Sequence, residues 1–385
     1  MTALIQTTEE LIQFCERLRQ YPFITIDTEF IREKTYWPQL CLIQMASVDE
    51  AACIDPLAKG IDLSCVFDLM QESSVTKVFH AARQDAEIFY HLTGRVPAPL
   101  FDTQVAAMVC GFGESVSYQT LVSRLAHTDI DKTTRFTDWS RRPLTEKQLR
   151  YALSDVTHLR TVYKALLEEL EKSGRRPWFS QEIAVLQDEK TYRNDPQDAW
   201  KKIKQNSGNP EFLALLRALA AWREEEAQRL DRPRKHVLRD EQLLEIAACA
   251  PTRPEEMNGL RGLSQGFAEG RMGSAILALV RSVKEQDVQS YPETPSVHSM
   301  PKGTKALVKL LKMLLTIKAE QNGVAEKLIA SAEDIDRLAS ENEPDIPALK
   351  GWRFDLFGQD ALALKEGRTA VCYNPKKHRI ELFFK

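Results

Sequence analysis

The sequence predicts an α/β domain with a mixed sheet and flanking helices, followed by two smaller all-helical modules. Strand-like and helical runs alternate in the first part of the chain, and long amphipathic helices occur twice in the second part. A Pro- and Ser-rich stretch, "QSYPETPSVHSMPKG", separates the two modules. The predicted segments are residues 1–172 for the α/β domain, 173–209 for a connector, 210–288 for the first module, 289–303 for a linker, and 304–385 for the second module and a C-terminal tail.

The α/β domain begins with a helix and three strands. A predicted helix, "TTEELIQFCERLRQ", precedes the strand-like runs "FITID", "QLCLIQMAS" and "AACID", whose short connections favour antiparallel neighbours. The order continues with a helix, "DLSCVFDLMQES", a fourth strand, "KVFHA", and a helix that opens near Asp85. This order predicts a mixed sheet with helices packed on it.

Further helices complete the predicted α/β domain. Two of them are "LFDTQVAAMVCGF" and "YQTLVSRLAHTDI". The longest begins at Thr145, because "TEKQ" is a capping box in which Thr145 caps the amide of Gln148 and Gln148 reaches back. We expect this helix to continue without a break until it stops near Gly174.

The two helical modules are weak repeats of each other. Each begins with a long amphipathic helix, "EFLALLRALAAWREEEAQRL" or "KALVKLLKMLLTIKAEQNGV". Each continues with a short helix, "RDEQLLEIA" or "SAEDIDRLA", and then with a Leu-basic-Gly turn at Leu260 or Leu349. The pattern is too loose for a solenoid and favours two copies of one module.

Composition narrows the class of protein. The chain has 385 residues, 43% of them hydrophobic, a net charge of −3, and no apolar run of membrane-spanning length. Its N-terminus lacks the basic-then-apolar pattern of a signal peptide, and its seven cysteines include no CxxC pair. We therefore expect a cytoplasmic protein without a zinc site, a disulfide framework or a membrane partner.

Four carboxylates of the α/β domain are expected to converge. Asp27 and Glu29 share one face of a strand, because side chains two residues apart point the same way. Asp85 opens a helix, and Asp155 follows Tyr151 by one helical turn. Converging carboxylates repel each other unless cations neutralise them, and an all-oxygen ligand set selects Mg²⁺ or Mn²⁺. Two such ions form a clamp for in-line attack on a phosphodiester.

Four stretches of the chain resemble the motifs of the DEDD exonuclease superfamily: "IDTEF", "KVFHAARQDAEIFY", "LFDTQVAA" and "TDWSRRPLTEKQLRYALSDV". The tyrosine that stands before the last aspartate, with three residues between them, is similar to the mark of the DEDDy branch. The two helical modules resemble HRDC domains, so nearly the whole chain resembles the bacterial ribonuclease D family. The resemblance implies a ribonuclease H-like fold for the α/β domain.

The resemblance also implies a role for each residue of the acidic set. Asp27, Glu29 and Asp155 would be ligands of the metal ion that binds the attacking water. Asp27 would bridge to a second ion, which Asp85 would help to hold through water. Tyr151 would orient the water and help to deprotonate it, because a metal-bound water is far more acidic than bulk water.

The implied activity is metal-dependent 3′→5′ exoribonuclease activity that releases nucleoside 5′-monophosphates. The expected cofactors are two divalent ions, Mg²⁺ or Mn²⁺. The expected partner is RNA with a free 3′ end, with tRNA precursors and other stable RNAs as the substrates to be matured, and no obligate protein partner is evident. Basic stretches in the helical modules, Arg229 to Arg239 and Asn374 to Arg379, are expected to hold structured RNA or to be solvated surface.

Four further residues are candidates for substrate contacts. Phe30 could stack on a terminal base, His80 ends the fourth strand beside the site, and Arg141 and Arg142 precede the catalytic helix. Core packing is the alternative role for Phe30 and His80, and solvated surface is the alternative for the two arginines. His158 is expected to be structural.

Two other functions stay open from the residues alone. One is a 3′→5′ exodeoxyribonuclease, because the acidic set recognises phosphate rather than sugar, although no polymerase-sized region is present. The other is a non-catalytic RNA-binding protein with a relic nuclease domain, against which the presence of the complete acidic set and Tyr151 argues.

Overall fold

A computed structural model describes residues 4–130, 137–205, 207–292 and 303–384. The chain forms two compact units. The first combines Met1–Phe30, Leu40–Thr191 and His298–Lys385, and the second combines Ile31–Gln39 with Tyr192–Val297. Residues 293–302, most of the predicted linker, lie outside the described residues. The domain boundaries inferred from the sequence stay predictions.

A mixed sheet is the centre of the first unit, as predicted. Its strand order is β1-β4-β3-β2-β5-β6. Strands β3 and β4 are antiparallel, whereas β1 runs parallel to β4 and β5 runs parallel to both β2 and β6. The strands are β1 Leu4–Ile5, β2 Phe23–Ile31, β3 Gln39–Ala46, β4 Ala51–Ile54, β5 Thr76–Phe79 and β6 Leu100–Asp102.

Helices pack on this sheet. Two of them, Glu146–Thr157 (α6) and Leu159–Lys172 (α7), contact β4 and β5 respectively. The helices are α1 Thr8–Leu18, α2 Ser64–Met70, α3 Arg83–Thr93, α4 Thr103–Val109, α5 Tyr118–Leu121 with a π-helical turn at Val122–Ala126, α6 Glu146–Thr157, α7 Leu159–Lys172 and α8 Arg176–Gln187. The helix expected over "LFDTQVAAMVCGF" is wrong at its start. Its first three residues form β6, and Asp102 then caps α4 by accepting hydrogen bonds from the amides of Gln104 and Val105.

The capping box at Thr145 and Gln148 is confirmed, but the long helix after it is broken at His158. The carbonyl of Thr157 accepts a hydrogen bond from the Arg160 side chain. The amide of Thr161, which lies four residues after Thr157, donates instead to the carbonyl of His158. A side chain thus replaces a backbone donor at this point. The prediction of one continuous helix missed this because the apolar spacing continues unchanged through the break.

The second unit is helical apart from its N-terminal segment Ile31–Gln39. In it, Asp231 accepts hydrogen bonds of 3.0 Å from the amides of Tyr36 and Trp37, and the Tyr36 hydroxyl donates to Glu224. Its elements are 3₁₀ turns at Pro196–Lys202 and Val288–Ser290 and the helices α9 Pro210–Leu230, α10 Arg234–Val237, α11 Asp240–Cys249, α12 Pro254–Asn258 and α13 Arg271–Lys284.

The last part of the chain returns to the first unit. Its helices share one hydrophobic core with the sheet. They are α14 Thr304–Asn322, α15 Glu326–Ile329, α16 Ala332–Ser340, α17 Gly351–Arg353, which leads into a π-helical turn at Phe354–Gly358, and α18 Gln359–Lys365. A hairpin of β7 Thr369–Asn374 and β8 Arg379–Phe384 follows, where only a tail was expected.

The contact between α8 and α17 shows how these helices join the core. The rings of Trp178 and Trp352 stack with centroids 4.5 Å apart and planes 14° apart. Arg353 pairs with Glu182 at 2.6 Å, and the indole N–H of Trp352 donates to the same carboxylate. The second helical module is therefore part of the structure that supports the sheet.

Among the described residues, no helix has both the length and the apolarity required to cross a membrane.

Candidate active site and metal centre

Three of the predicted carboxylates come together where β2 meets α6. Asp27 and Glu29 share a face of β2, and Asp155 approaches from α6, so that one ligand atom of each lies within 4.8 Å of the others. An Mg²⁺ ion bonds oxygen at about 2.1 Å, so it spans ligand oxygens up to about 4.2 Å apart. Small side-chain rotations would close this set around one ion.

The electrostatics of the cluster favour a cation. Burial raises the pKa of Asp27 well above its usual value, and the neighbouring charges of Asp85, Asp155 and Glu29 raise it further. Asp27 also accepts a hydrogen bond from the backbone amide of Thr28, which lowers its pKa. A divalent ion would remove the repulsion and leave the carboxylates ionised.

Asp85 lies beside this cluster, in the first turn of α3. It is only 7% exposed, and it accepts a hydrogen bond from the hydroxyl of Thr28 on β2. Burial raises its pKa to about 7, against the lowering effect of that hydrogen bond. Asp85 is not one of the three groups with mutually close ligand atoms, so a water-mediated role in holding a second ion stays a prediction.

Tyr151 stands one turn before Asp155 on α6, with its ring 6.3 Å from that of Trp139. Burial raises the pKa of its phenol, and the charges of Asp155, Glu29 and Asp27 raise it further. The hydroxyl therefore keeps its proton near neutral pH when no metal is bound, and it forms a hydrogen bond with Asp155. This geometry suits a group that orients water beside the carboxylates.

A cavity of about 360 Å³ opens onto this set and is called the catalytic cavity below. Among its lining residues are Asp27, Tyr151 and Asp155, together with His80 and Tyr118. The rings of His80 and Tyr118 are 5.5 Å apart, and burial lowers the pKa of His80 to about 4, so that this imidazole is neutral at pH 7.

Sequence reasoning missed Tyr118 and Asp102. The Tyr118 hydroxyl donates to the carbonyl of Ser154 at 3.1 Å, which ties the cavity wall to the catalytic helix. Asp102 accepts hydrogen bonds from the amides of Ala81 at 3.0 Å and Ala82 at 2.8 Å, and so holds the turn that leads into α3. The one local signal for Tyr118 is its position directly after Ser117, which caps α5 and so places Tyr118 at the start of that helix.

The other candidate substrate residues lie in different surroundings. Phe30 is partly buried against the hydrophobic core. Arg142 pairs with Asp55 at 2.7 Å and donates to the carbonyl of Cys41, so its contacts are those of a structural ion pair. Arg141 is exposed and lies 3.8 Å from Asp138. Of the four candidates, His80 is the one that lines the catalytic cavity; substrate roles for the others stay predictions without a supporting contact.

Comparison with known proteins first defines the class. A family model described as 3′-5′ exonuclease matches residues 2–171, and a model described as HRDC domain matches residues 212–280. The first part of the chain thus falls in the class of 3′→5′ exonucleases and is followed by an HRDC region. Nucleases of this class depend on divalent metal ions, and the acidic cluster offers candidate ligands for them.

Full-length relatives give the particular family. The chain is 52% identical to ribonuclease D of Granulibacter bethesdensis over 98% of this chain and 96% of that protein. It is 53% identical to ribonuclease D of Gluconacetobacter diazotrophicus over 96% and 94%. The crystal structure of Escherichia coli RNase D, an exoribonuclease involved in structured RNA processing, superposes with a TM-score of 0.83 at 31% identity over 95% of this chain and 99% of that one. The chain belongs to the ribonuclease D family, and the predicted exoribonuclease activity is confirmed.

Proposed function

We propose that this exoribonuclease removes single nucleotides from the free 3′ end of RNA as nucleoside 5′-monophosphates, and that it does so with two divalent ions, Mg²⁺ or Mn²⁺. The observation that carries the proposal is the meeting of Asp27, Glu29 and Asp155 beside Tyr151 at the wall of the catalytic cavity. Bound ions would neutralise the carboxylates and the phosphate and would make a water molecule more acidic.

The residues of the chain divide the remaining work. Asp27, Glu29 and Asp155 would hold one ion, and Asp27 with Asp85 would serve the other. The Tyr151 hydroxyl would hold the attacking water in line with the scissile bond, because it lies beside Asp155 and keeps its proton. The 3′-terminal nucleotide would occupy the catalytic cavity, where the neutral His80 and Tyr118 offer ring faces and hydrogen bonds.

The natural substrates we propose are tRNA precursors and other stable RNAs, matured at their 3′ ends in the cytoplasm. This rests on the ribonuclease D relatives and on the role of the Escherichia coli protein in structured RNA processing. No obligate protein partner or membrane is required by this proposal.

A basic surface of the helical regions would hold the body of the RNA. Several cations of the stretches singled out in the sequence have acidic partners: Arg229 pairs with Glu226 at 2.7 Å, and Lys377 pairs with Glu381 at 3.0 Å. The exposed side of α14 carries lysines at helical spacing, and each of them is solvent-exposed. These lysines are Lys305, Lys309 and Lys312.

The experiment for this surface is substitution rather than truncation, because α14 shares the core of the first unit. We expect Lys305→Ala/Lys309→Ala to weaken binding of a folded tRNA precursor. It should also flatten the slope of log affinity against log salt by nearly one unit for each lost phosphate contact. Unchanged affinity and slope would remove α14 from the RNA-binding surface.

The activity itself is tested with matched RNA and DNA oligonucleotides labelled at the 5′ end, incubated with Mg²⁺ or with EDTA. We expect a ladder that shortens from the 3′ end of RNA with Mg²⁺ alone, and a block when the 3′ end carries a phosphate. Shortening of DNA at the same rate would favour the exodeoxyribonuclease alternative. No shortening of either strand would favour a relic nuclease that only binds RNA.

A further inference from the structure

A second cavity lies on the other side of Tyr151 from the catalytic cavity. It has a volume of about 280 Å³. Tyr151 and Ile130 line both cavities, so the Tyr151 side chain forms part of the wall between them. Among the residues that the structure describes, the second cavity is lined by Asp129, Ile130, Lys147, Arg150, Tyr151, Ser154 and His158.

The two cavities differ in charge. The described residues that line the catalytic cavity include the carboxylates of Asp27 and Asp155 and no lysine or arginine. The described lining of the second cavity has Lys147 and Arg150 against one carboxylate, that of Asp129. A phosphate in the catalytic cavity therefore needs metal ions as its counter-charge, whereas a phosphate in the second cavity would find that charge in the protein itself.

Helix α6 sets the spacing between these groups. Lys147, Tyr151, Ser154 and His158 follow each other at intervals of three or four residues, so they lie along one face, and Arg150 flanks it. Lys147 is four residues, about 6 Å of axial rise, from Tyr151. The Arg150 side chain is 69% exposed and lies 3.9 Å from the carboxylate of Glu146, which is 85% exposed, and an ion pair this exposed is weak.

We propose that the second cavity is the subsite for the phosphate immediately upstream of the scissile bond, and that Lys147 and Arg150 hold that phosphate. The RNA strand would cross Tyr151, with its terminal nucleotide in the catalytic cavity and its next linkage over α6. The planar guanidinium of Arg150 suits two phosphate oxygens, while Lys147 supplies a mobile point charge. This inference rests on the proposed action at RNA 3′ ends.

The subsite gives Lys147 and Arg150 a positioning role. They touch a phosphate that does not react, and by fixing it they align the next linkage with the acidic cluster and Tyr151. That phosphate is absent from a dinucleotide with a 5′-hydroxyl, so the subsite contributes only with longer substrates or with a 5′-phosphate. The enzyme would then lose efficiency on the last dinucleotide of a chain that has a 5′-hydroxyl.

The test uses full-length protein and oligoribonucleotides in which one linkage is a neutral methylphosphonate. In the first substrate the neutral linkage is the second from the 3′ end, and in the second substrate it is the fifth. For the wild-type chain we expect neutralisation of the second linkage to lower kcat/KM roughly ten- to hundredfold, the size of one lost charge-assisted hydrogen bond. Neutralisation of the fifth should have little effect.

The double variant Lys147→Ala/Arg150→Ala should lose a similar factor in kcat/KM on unmodified RNA, with kcat lowered as well as KM raised, and should then be insensitive to the neutral second linkage. The control variant Lys59→Ala/Lys172→Ala removes two exposed positive charges elsewhere and should behave as wild type. Thermal unfolding curves establish that each variant is folded, which we expect because the substituted side chains are exposed.

The outcomes separate the two levels of inference. If the double variant remains as sensitive to the neutral second linkage as wild type, or if wild type ignores that linkage, the subsite is refuted while the exonuclease activity stands. If neither protein shortens unmodified RNA from its 3′ end, the proposed function itself fails.

Discussion

Replacing Asp85 by asparagine should stabilise the metal-free protein, and the gain should depend on pH. The Asp85 carboxyl is 7% exposed and its pKa is raised from 3.8 to about 7, chiefly by burial. Asparagine has nearly the same shape, keeps an oxygen that can accept the hydrogen bond from Thr28, and carries no charge at any pH. The comparison therefore isolates the cost of the charge.

The sign and size of the effect follow from the shifted pKa. Below about pH 3.8 the carboxyl is protonated in both the folded and the unfolded chain, so it causes no penalty. Between pH 3.8 and 7 the unfolded chain releases the proton first, so the stability of the wild-type fold falls as pH rises. The full shift corresponds to about 4 kcal/mol, at 1.36 kcal/mol per pKa unit. Between pH 5 and 7 the free energy of unfolding of the variant, relative to that of wild type, should rise by up to about 1.4 kcal/mol per pH unit.

Urea denaturation in EDTA at pH 5, 6, 7 and 8 measures this difference as a free energy of unfolding. The exposed Asp68→Asn on α2 is the matched control for removal of a carboxylate. Adding Mg²⁺ should stabilise wild type more than Asp85→Asn, and so reduce the difference between their free energies of unfolding. A difference for Asp85→Asn that is flat from pH 5 to 8 would refute the assignment of Asp85 as a buried carboxyl whose ionisation destabilises the apo protein.

Substituting the other site residues should have separable effects. Asp27→Ala and Asp155→Ala should each abolish hydrolysis of labelled RNA with an unchanged circular dichroism spectrum, and near wild-type turnover in either would remove that residue from the metal centre. Tyr151→Phe keeps the ring and all the carboxylates, so Mg²⁺ binding measured by calorimetry should persist while kcat falls about 10²- to 10⁴-fold; full speed would leave Tyr151 with a packing role. Trp352→Ala, far along the sequence, should lower the free energy of unfolding of the first unit by about 3–5 kcal/mol, and an unchanged urea midpoint would show that α17 does not support the nuclease core.

The parts of the site that depend on local geometry could be predicted from the sequence. The alternation of side chains along β2 puts Asp27 and Glu29 on one face, and the helical period puts Tyr151 and Asp155 on another. The capping box at Thr145 fixes where α6 begins, and so the position of both candidate catalytic residues of that helix, Tyr151 and Asp155. These features need only a few neighbouring residues, so periodicity and capping determine them.

The features that were missed depend on partners distant in sequence. Arg142 was a candidate for phosphate binding because it precedes the catalytic helix, but its partner Asp55 is 87 positions away and no local pattern indicates it. Tyr118 is an aromatic residue in an amphipathic run, and its position there is explained equally well by packing in the core. The hairpin β7–β8 was assigned to a tail, although "TAVCYN" and "RIELFF" are largely apolar, because the two strands pair with each other and not with the main sheet.

The packing of α14–α18 on the sheet has a consequence for how the protein is made. The carboxylates of the acidic cluster and Tyr151 lie within the first 155 residues, yet the core on which they depend is completed by helices that end at Lys365. Domains that are continuous in sequence fold as they leave the ribosome, but a unit built from both ends of a chain must wait for its last segment. Translation order thus delays assembly of the full nuclease core until helices α14–α18 have been synthesised and have left the ribosome.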